Sequence, residues 1–326
     1  MKFTPAIYEH AAKLIDKTPY EVSRSSELLF QAHVKAFNTY RHTPVVIGID
    51  IYNLEAEAYG SVVKQVEDNS IPATETYVCS NTDDILSLAH FDPQKAGRIP
   101  MILQVAKEVK NHCPGADVRI PVSGPFSIAS NILGFENLLY DCLLNPDKTR
   151  EALLHLASGQ IRFCQEIINN GLDISFFESA ATPPLISPEL FKTVEFPALK
   201  ETIKAAGDVV GHPVPCIMGG DTVQILDLIL QVGTDYVICP AETDQALFMK
   251  KMQAYPNVMV RINMKSHVMA SDDLDLVYGE IDRVLEIAGD RENYVIGTGA
   301  LPFEARTENV LAAHNYIEKK IGKSKK

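Results

Sequence analysis

Short, nearly continuous apolar runs recur along the chain, and each is followed by a longer stretch in which apolar residues return at helical spacing. Eight runs have the length and composition of strands: residues 45–50, 76–80, 118–122, 173–178, 214–218, 235–239, 257–262 and 293–297. Most lack a polar alternate face, as strands covered on both sides do. The intervening stretches, including 147–169, 188–206, 222–231 and 273–288, read as helices. Asn145-Pro146-Asp147 and Ser187-Pro188-Glu189 have the form of helix starts, a capping side chain followed by proline. Strand–helix alternation implies parallel strands joined by crossover helices. Eight units predict closure into a single α/β, (β/α)8 TIM-type barrel, with a doubly wound open sheet as the alternative. Segments 6–15 and 19–37 read as helices ahead of the first expected strand. The expected organisation is therefore an N-terminal helical extension, 1–43, acting as a lid or partner surface, and a catalytic barrel, 44–326.

Composition narrows the function classes. Of the 326 residues 46% are hydrophobic and 22% charged, which is globular composition with enough apolar material for a large core. The net charge of −12 disfavours a nucleic-acid partner, because phosphate neutralisation needs a basic face. The basic tail, Lys319, Lys320, Lys323, Lys325 and Lys326, reads as a solvated end. No apolar stretch approaches the ~20 residues of a membrane span, and the N-terminus lacks the apolar centre of a signal peptide. A cytoplasmic protein is the expectation. The six cysteines are scattered without a CxxC pair, so they are expected as thiols, metal ligands or core filler rather than disulfides.

In a barrel, function sits at the C-terminal ends of strands and in the loops after them. After the first expected strand, Asp50, Tyr52, Asn53, Glu55 and Glu57 concentrate polar groups in one turn, where acids also complement a helix dipole. Gly124-Pro125 makes a tight turn that leaves backbone amides available. Glu178 follows two phenylalanines, a setting that raises a carboxyl pKa unless the group binds a metal or caps the next segment. Gly219-Gly220 permits close approach of a ligand to the backbone, and Asp221 is placed to cap the next helix. Glu178, Cys216 and Cys239 fall on three successive strands. If those strand ends converge, one oxygen and two sulfurs leave a zinc ion one open position, as a catalytic site requires.

Several motifs then occur in a fixed order: Gly124-Pro125-Phe126-Ser127, Asn170-Gly171-Leu172-Asp173, Glu178-Ser179-Ala180, Ser187-Pro188-Glu189-Leu190-Phe191, Gly219-Gly220-Asp221-Thr222, and Gly297-Thr298-Gly299 through Glu308-Asn309-Val310. Together they resemble the uroporphyrinogen decarboxylase superfamily over roughly Pro44 to the C-terminus. The resemblance implies either cofactor-free decarboxylation of uroporphyrinogen or zinc-assisted methyl transfer to or from a corrinoid protein. The decarboxylase's arginine-rich N-terminal motif is absent, the chain has no tryptophan, and the strand-end loops are mostly acidic, unsuited to a tetrapyrrole with eight carboxylates. Thiol-methylating members carry His-x-Cys after strand five and a late cysteine after strand eight. Here those positions read Ile217-Met218-Gly219 and Ala300.

What remains is a methyltransferase of the O-demethylating kind, moving a methyl group between a small methoxylated substrate and a corrinoid carried by a partner protein. On this resemblance Asp50, Asn53 and Glu178 are the catalytic candidates. Tyr52, Gly219, Asp221, Asn263 and Thr298 are the substrate-binding candidates, and Glu178, Cys216 and Cys239 the ligands of a Zn2+ ion. The acidic barrel mouth would dock the corrinoid protein, and a homodimer is a further expectation. The alternatives are a uroporphyrinogen decarboxylase-like lyase and a barrel that binds a small molecule without catalysis.

Overall fold

The first strand lies where the sequence pattern predicts only helices. In the computed structural model, which describes residues 2–66 and 69–324, β1 is Phe3–Ala6, and it is followed by α1 (His10–Lys13), α2 (Pro19–Arg24) and α3 (Ser26–Tyr40). Four residues with an internal proline give no periodic signal. Pro5 cannot donate to a ladder, and the register shifts at that point. A boundary at 43/44 therefore cuts through the sheet: the N-terminal segment contains helices but also supplies a strand.

The chain continues with β2 (Val45–Val46), α4 (Leu54–Tyr59), β3 (Val62–Lys64), β4 (Ala73–Thr76), α5 (Thr82–Ser87), α6 (Ile99–His112) and β5 (Val118–Ser123). Next come α7 (Pro125–Leu133), α8 (Phe135–Leu144), α9 (Pro146–Asn169), β6 (Asp173–Phe177), α10 (Pro188–Leu190), α11 (Phe196–Val210) and β7 (Cys216–Ile217). The last elements are α12 (Leu226–Ile229), β8 (Tyr236–Cys239), α13 (Gln245–Met252), β9 (Met259–Asn263), α14 (Leu274–Ala288), β10 (Tyr294–Ala300) and α15 (Thr307–Ser324).

Among the described residues, eight parallel strands form one sheet in the order β1-β10-β9-β8-β7-β6-β5-β2. It curls into an α/β, TIM-like barrel. Between the end strands, the Thr4 hydroxyl donates to the Thr43 carbonyl at 2.6 Å, which brings β1 beside the start of β2. The expected strand at 76–80 is not part of this sheet. Thr76 ends the antiparallel β3–β4 hairpin, Tyr77 and Val78 are exposed, and β2 pairs directly with β5. Only Thr76 of the segment belongs to that hairpin, and the eighth place in the sheet is taken by β1.

Successive side chains of a strand point to opposite faces. Phe177, Ile217 and Ile238 pack with Ile51 in the lumen, with Tyr8, Tyr52 and Tyr236 against them. Their neighbours Phe176, Cys216 and Cys239 belong to the larger apolar layer beneath the helices. No helix among the described residues is long and apolar enough to cross a membrane.

Because Phe3 is only 2% exposed and pairs with Ile296 across β1 and β10, Phe3→Ala is expected to destabilise the whole domain by about 3–5 kcal/mol. Denaturant unfolding followed by circular dichroism measures this. An unchanged midpoint would mean the segment is a dispensable extension after all.

Candidate active site

The strand C-termini surround a cavity of about 450 Å3. Its walls are largely apolar, formed by Tyr8, Ile51, Tyr52, Phe177, Ile217 and Ile238. Asp50, Asn53, Ser179, Glu242, Arg261 and Asn263 add polar groups. Such a mixture of apolar wall and few converging polar groups is typical of small-molecule sites. A second cavity, about 380 Å3, opens at the other end of the barrel among strand starts such as Asp117, Asp235 and Met259. In this fold that end serves stability, so the first cavity is the candidate active site.

Four of the expected substrate-binding and catalytic side chains line it. Tyr52 donates its hydroxyl hydrogen to Ser179 Oγ at 2.7 Å, and the Gly219 amide donates to the same oxygen at 3.1 Å. With both neighbours donating, the Ser179 hydroxyl hydrogen is left to point elsewhere. Burial pushes the Tyr52 phenol well above its usual range, so it stays protonated and remains a donor. Asp50 lines the cavity, but its carboxylate is already engaged by Arg98, with Nη1–Oδ1 at 2.8 Å and Nη2–Oδ2 at 2.6 Å. Arg98 also donates to Glu57, which Arg24 contacts from its other side. The Asn53 amide donates to the Pro72 carbonyl at 2.6 Å and lies 3.4 Å from Asp50. Asp50 and Asn53 thus hold the loop after β2 in shape. Neither is free to act as a base. Glu55 is buried and accepts from the Ser123 amide at 2.7 Å and from Gln160 at 2.9 Å, which fixes the end of β5.

Glu178 sits elsewhere than expected. Its side chain faces the helical layer and lies across the N-terminus of α7, accepting from the amides of Phe126 and Ser127 at 3.1 Å and from the Ser127 hydroxyl at 2.5 Å. Free amides and the helix dipole make that position favourable for an anion. A Cβ on Gly124 would lie 2.0 Å from Glu178 Oε2, so the Gly-Pro turn keeps that space open for this carboxylate. The amides that the turn exposes thus serve a residue of the chain itself.

Glu178 lies beside a second buried acid, Glu195, at the end of the π-helical turn Phe191–Glu195. Burial raises Glu178 to about 7 even against its amide donors. Burial together with the charge of Glu178 raises Glu195 further. No donor meets either oxygen of Glu195, whereas Glu178 accepts from the start of α7, so the proton belongs on Glu195 and the charge on Glu178. The sequence signal for this pair was available: an acid on the apolar stripe formed by Phe191, Val194, Ala198 and Leu199.

Asp221 and Thr298 also lie outside the cavity. Asp221 accepts from the Thr243 hydroxyl at 2.7 Å, tying together the loops after β7 and β8 instead of capping a helix. The Thr298 hydroxyl accepts from the Ala6 amide at 3.2 Å and so helps join β1 to β10. Gly219 and Asn263 do line the cavity.

Glu178, Cys216 and Cys239 do not fit a zinc ion. Cys216 is in register with Val237, so Cys239 lies two residues farther along β8, about 6–7 Å at ~3.3 Å per residue. Glu178 is separated from β8 by the whole width of β7. All three face the helical layer rather than the cavity. Among the described residues no group of three or more His, Cys, Asp or Glu side chains is arranged to hold a metal. The positions that supply metal donors in thiol-methylating relatives, here Ile217, Gly219 and Ala300, do line the cavity, but they carry no donor side chain.

A parallel α/β barrel with a largely apolar cavity at its strand C-termini is a common enzyme framework, and comparison with known proteins narrows it. The model of the family described as uroporphyrinogen decarboxylase (URO-D) matches residues 2–319. The chain belongs to the uroporphyrinogen decarboxylase family. Among solved structures it is similar to a methyltransferase from Methanosarcina mazei, with a TM-score of 0.83, 16% identity, and 98% of this chain and 92% of that chain covered. A B12-independent methionine synthase from Shewanella sp. W3-18-1 is also similar, with a TM-score of 0.59, 10% identity, and 92% and 89% covered. Identities this low establish a shared fold alone. No curated protein matches the sequence.

The Glu178–Glu195 pair has a testable pH signature. The unfolded Glu195 ionises near 4.5, whereas the folded one stays protonated well above that value. The folded state therefore binds the extra proton, and stability falls as pH rises above about 4.5. Glu195→Gln keeps a donor to Glu178 and removes that titration. Its melting temperature is expected to match the native protein at pH 5 and to exceed it increasingly toward pH 8. A constant offset across that range would show that Glu195 is not the proton carrier.

Proposed function

We propose that this chain is a methyltransferase that moves a methyl group between a small methoxylated substrate and a corrinoid carried by a partner protein. The observation that carries the reading is the Ser179 hydroxyl, which sits in an apolar cavity and is oriented by Tyr52 and the Gly219 amide. Breaking a methyl–oxygen bond leaves negative charge on the oxygen. A positioned donor in a low-dielectric site stabilises that charge more than water does. The family and the M. mazei methyltransferase fold are consistent with this reading. The corrinoid, when docked at the mouth, supplies the nucleophilic centre that accepts the methyl group.

The chain's own contribution is binding, orientation and exclusion of water. Phe177, with Tyr8 and Tyr52 edge-on to it at centroid distances of 6.3 and 6.2 Å, offers a flat surface to an aromatic body. Ser179 donates to the ether oxygen, and protonated Tyr52 holds Ser179 in place. The Asp50–Arg98 pair keeps the loop carrying Tyr52 fixed. Because the three expected zinc ligands do not fit the ion, activation of the leaving oxygen falls to these hydrogen bonds. The lining also argues against uroporphyrinogen as substrate: Arg261 is the arginine in the described lining and no lysine accompanies it, too little charge to match eight carboxylates.

The test is direct. Mixed with a reduced corrinoid protein and methoxylated aromatics, the enzyme is expected to form methylcobalamin, followed by its absorbance. Ser179→Ala should slow formation by about 100-fold with the fold intact. Absence of any change with every methyl donor tried, together with decarboxylation of uroporphyrinogen, would overturn the reading.

A further inference from the structure

The barrel lumen holds a charge that the described fold leaves uncompensated. Arg261 lies in the middle of β9, on the face that points inward, and is 6% exposed. None of the ion pairs among the described residues includes it, and its Nε has no hydrogen-bond partner. The titratable groups that feel its charge are the phenols of Tyr8, Tyr52 and Tyr236. Asn263, two residues on and on the same face, is 4% exposed, and its Oδ1 is likewise unpartnered. A hydrogen bond between these two would satisfy both atoms and still leave the positive charge unmatched. Burying a guanidinium without a counter-charge is strongly unfavourable. The arrangement makes physical sense when an anion completes it.

The surrounding backbone is shaped for these two side chains. Gly297 on β10 is in register with Asn263. A Cβ there would lie 2.4 Å from Asn263 Oδ1 and 2.7 Å from Arg261 Cγ and Cδ. The missing side chain is what lets the arginine stem and the amide lie flat against β10. Arg261 borders both the mouth cavity and the one at the opposite end, so its side chain lies between them. Asn263, Tyr8 and Tyr52 border the mouth side, and Tyr236 borders the opposite one.

We propose that Arg261 and Asn263 form an oxyanion subsite on the floor of the cavity that takes the carboxylate of an aromatic acid. The planar fork of an arginine matches the two oxygens of a carboxylate. The ring of the acid lies along Phe177, and the end remote from the carboxylate reaches toward Ser179. The choice of a methoxylated acid as ligand rests on the function proposed above; the subsite itself rests on the geometry.

The experiment is binding without turnover. The full chain, with no corrinoid protein present, is titrated calorimetrically with 4-methoxybenzoate and with its methyl ester. The acid is expected to bind at least 10-fold tighter than the ester. Arg261→Gln should weaken acid binding by about 10- to 100-fold and leave ester binding unchanged. Without ligand, Arg261→Gln should melt at or above the native temperature, because it removes an unmatched charge. Acid and ester binding alike, or no binding of either, overturns the subsite. So does undiminished acid binding by a folded Arg261→Gln. Should that variant fail to fold, Asn263→Ala and the acid–ester comparison on the native chain decide in the same way. Carboxylate-dependent binding with no methyl transfer would sink the proposed function and leave the subsite standing. Methyl transfer from an uncharged aryl ether, unaffected by Arg261→Gln, would do the reverse.

Discussion

In a parallel barrel-like sheet every strand residue faces either the lumen or the helices, and the choice alternates with each step along the chain. This constraint governs what each group at the strand ends can do. It sends Phe177, Ile217, Ile238, Arg261 and Asn263 inward, and Phe176, Cys216 and Cys239 outward. It separates Glu178 from a cavity whose wall is formed by the residues on either side of it, Phe177 and Ser179. The chemistry available at the mouth follows from this sorting: hydroxyls, an amide and a guanidinium face the cavity, while the thiols and the most strongly perturbed carboxyls face the helical layer.

The buried charges are handled in three ways. Asp50, Glu57, Arg98 and Arg24 form a network in which opposite charges meet, and it fixes the loop that carries Tyr52. Glu178 and Glu195 share one proton, and the amides at the start of α7 hold the remaining negative charge. These two arrangements are complete within the chain. Arg261 is different, because nothing among the described residues balances it. Glu55, also buried, is met by the neutral donors Ser123 and Gln160, whereas a buried cation with no anion beside it is what the proposed carboxylate subsite would complete.

Family membership and the cavity bear on function in different ways. Membership sets the framework and leaves the reaction open between decarboxylation and methyl transfer. The lining supports the proposed methyl transfer. An octacarboxylate needs many cations, and the cavity offers Arg261; an aryl ether needs an apolar slot and a hydrogen-bond donor, and the cavity offers both in Phe177 and Ser179. In the proposed reaction, activation of the leaving oxygen would depend on Ser179 as held by Tyr52 and the Gly219 amide, so its orientation would matter as much as its presence.

The sequence by itself determined the barrel. Continuous apolar runs such as 118–122 and 173–178, alternating with helical stretches, admit few other packings, because strands covered on both faces need crossover helices. It also located the mouth, since Tyr52, Gly219 and Asn263 stand at strand ends and do line the cavity. Only the tertiary structure decided that Phe3–Ala6 is a strand, because four residues with a proline have no period and gain their pairing from β10, nearly the whole chain away. It also decided against the metal cluster, because proximity of strand ends does not settle which face a side chain takes. Arg261 is in plain view as a charge within an otherwise uncharged strand. That it lies unpaired in the lumen depends on Gly297, a neighbour 36 positions farther along the chain that has no side chain to displace it.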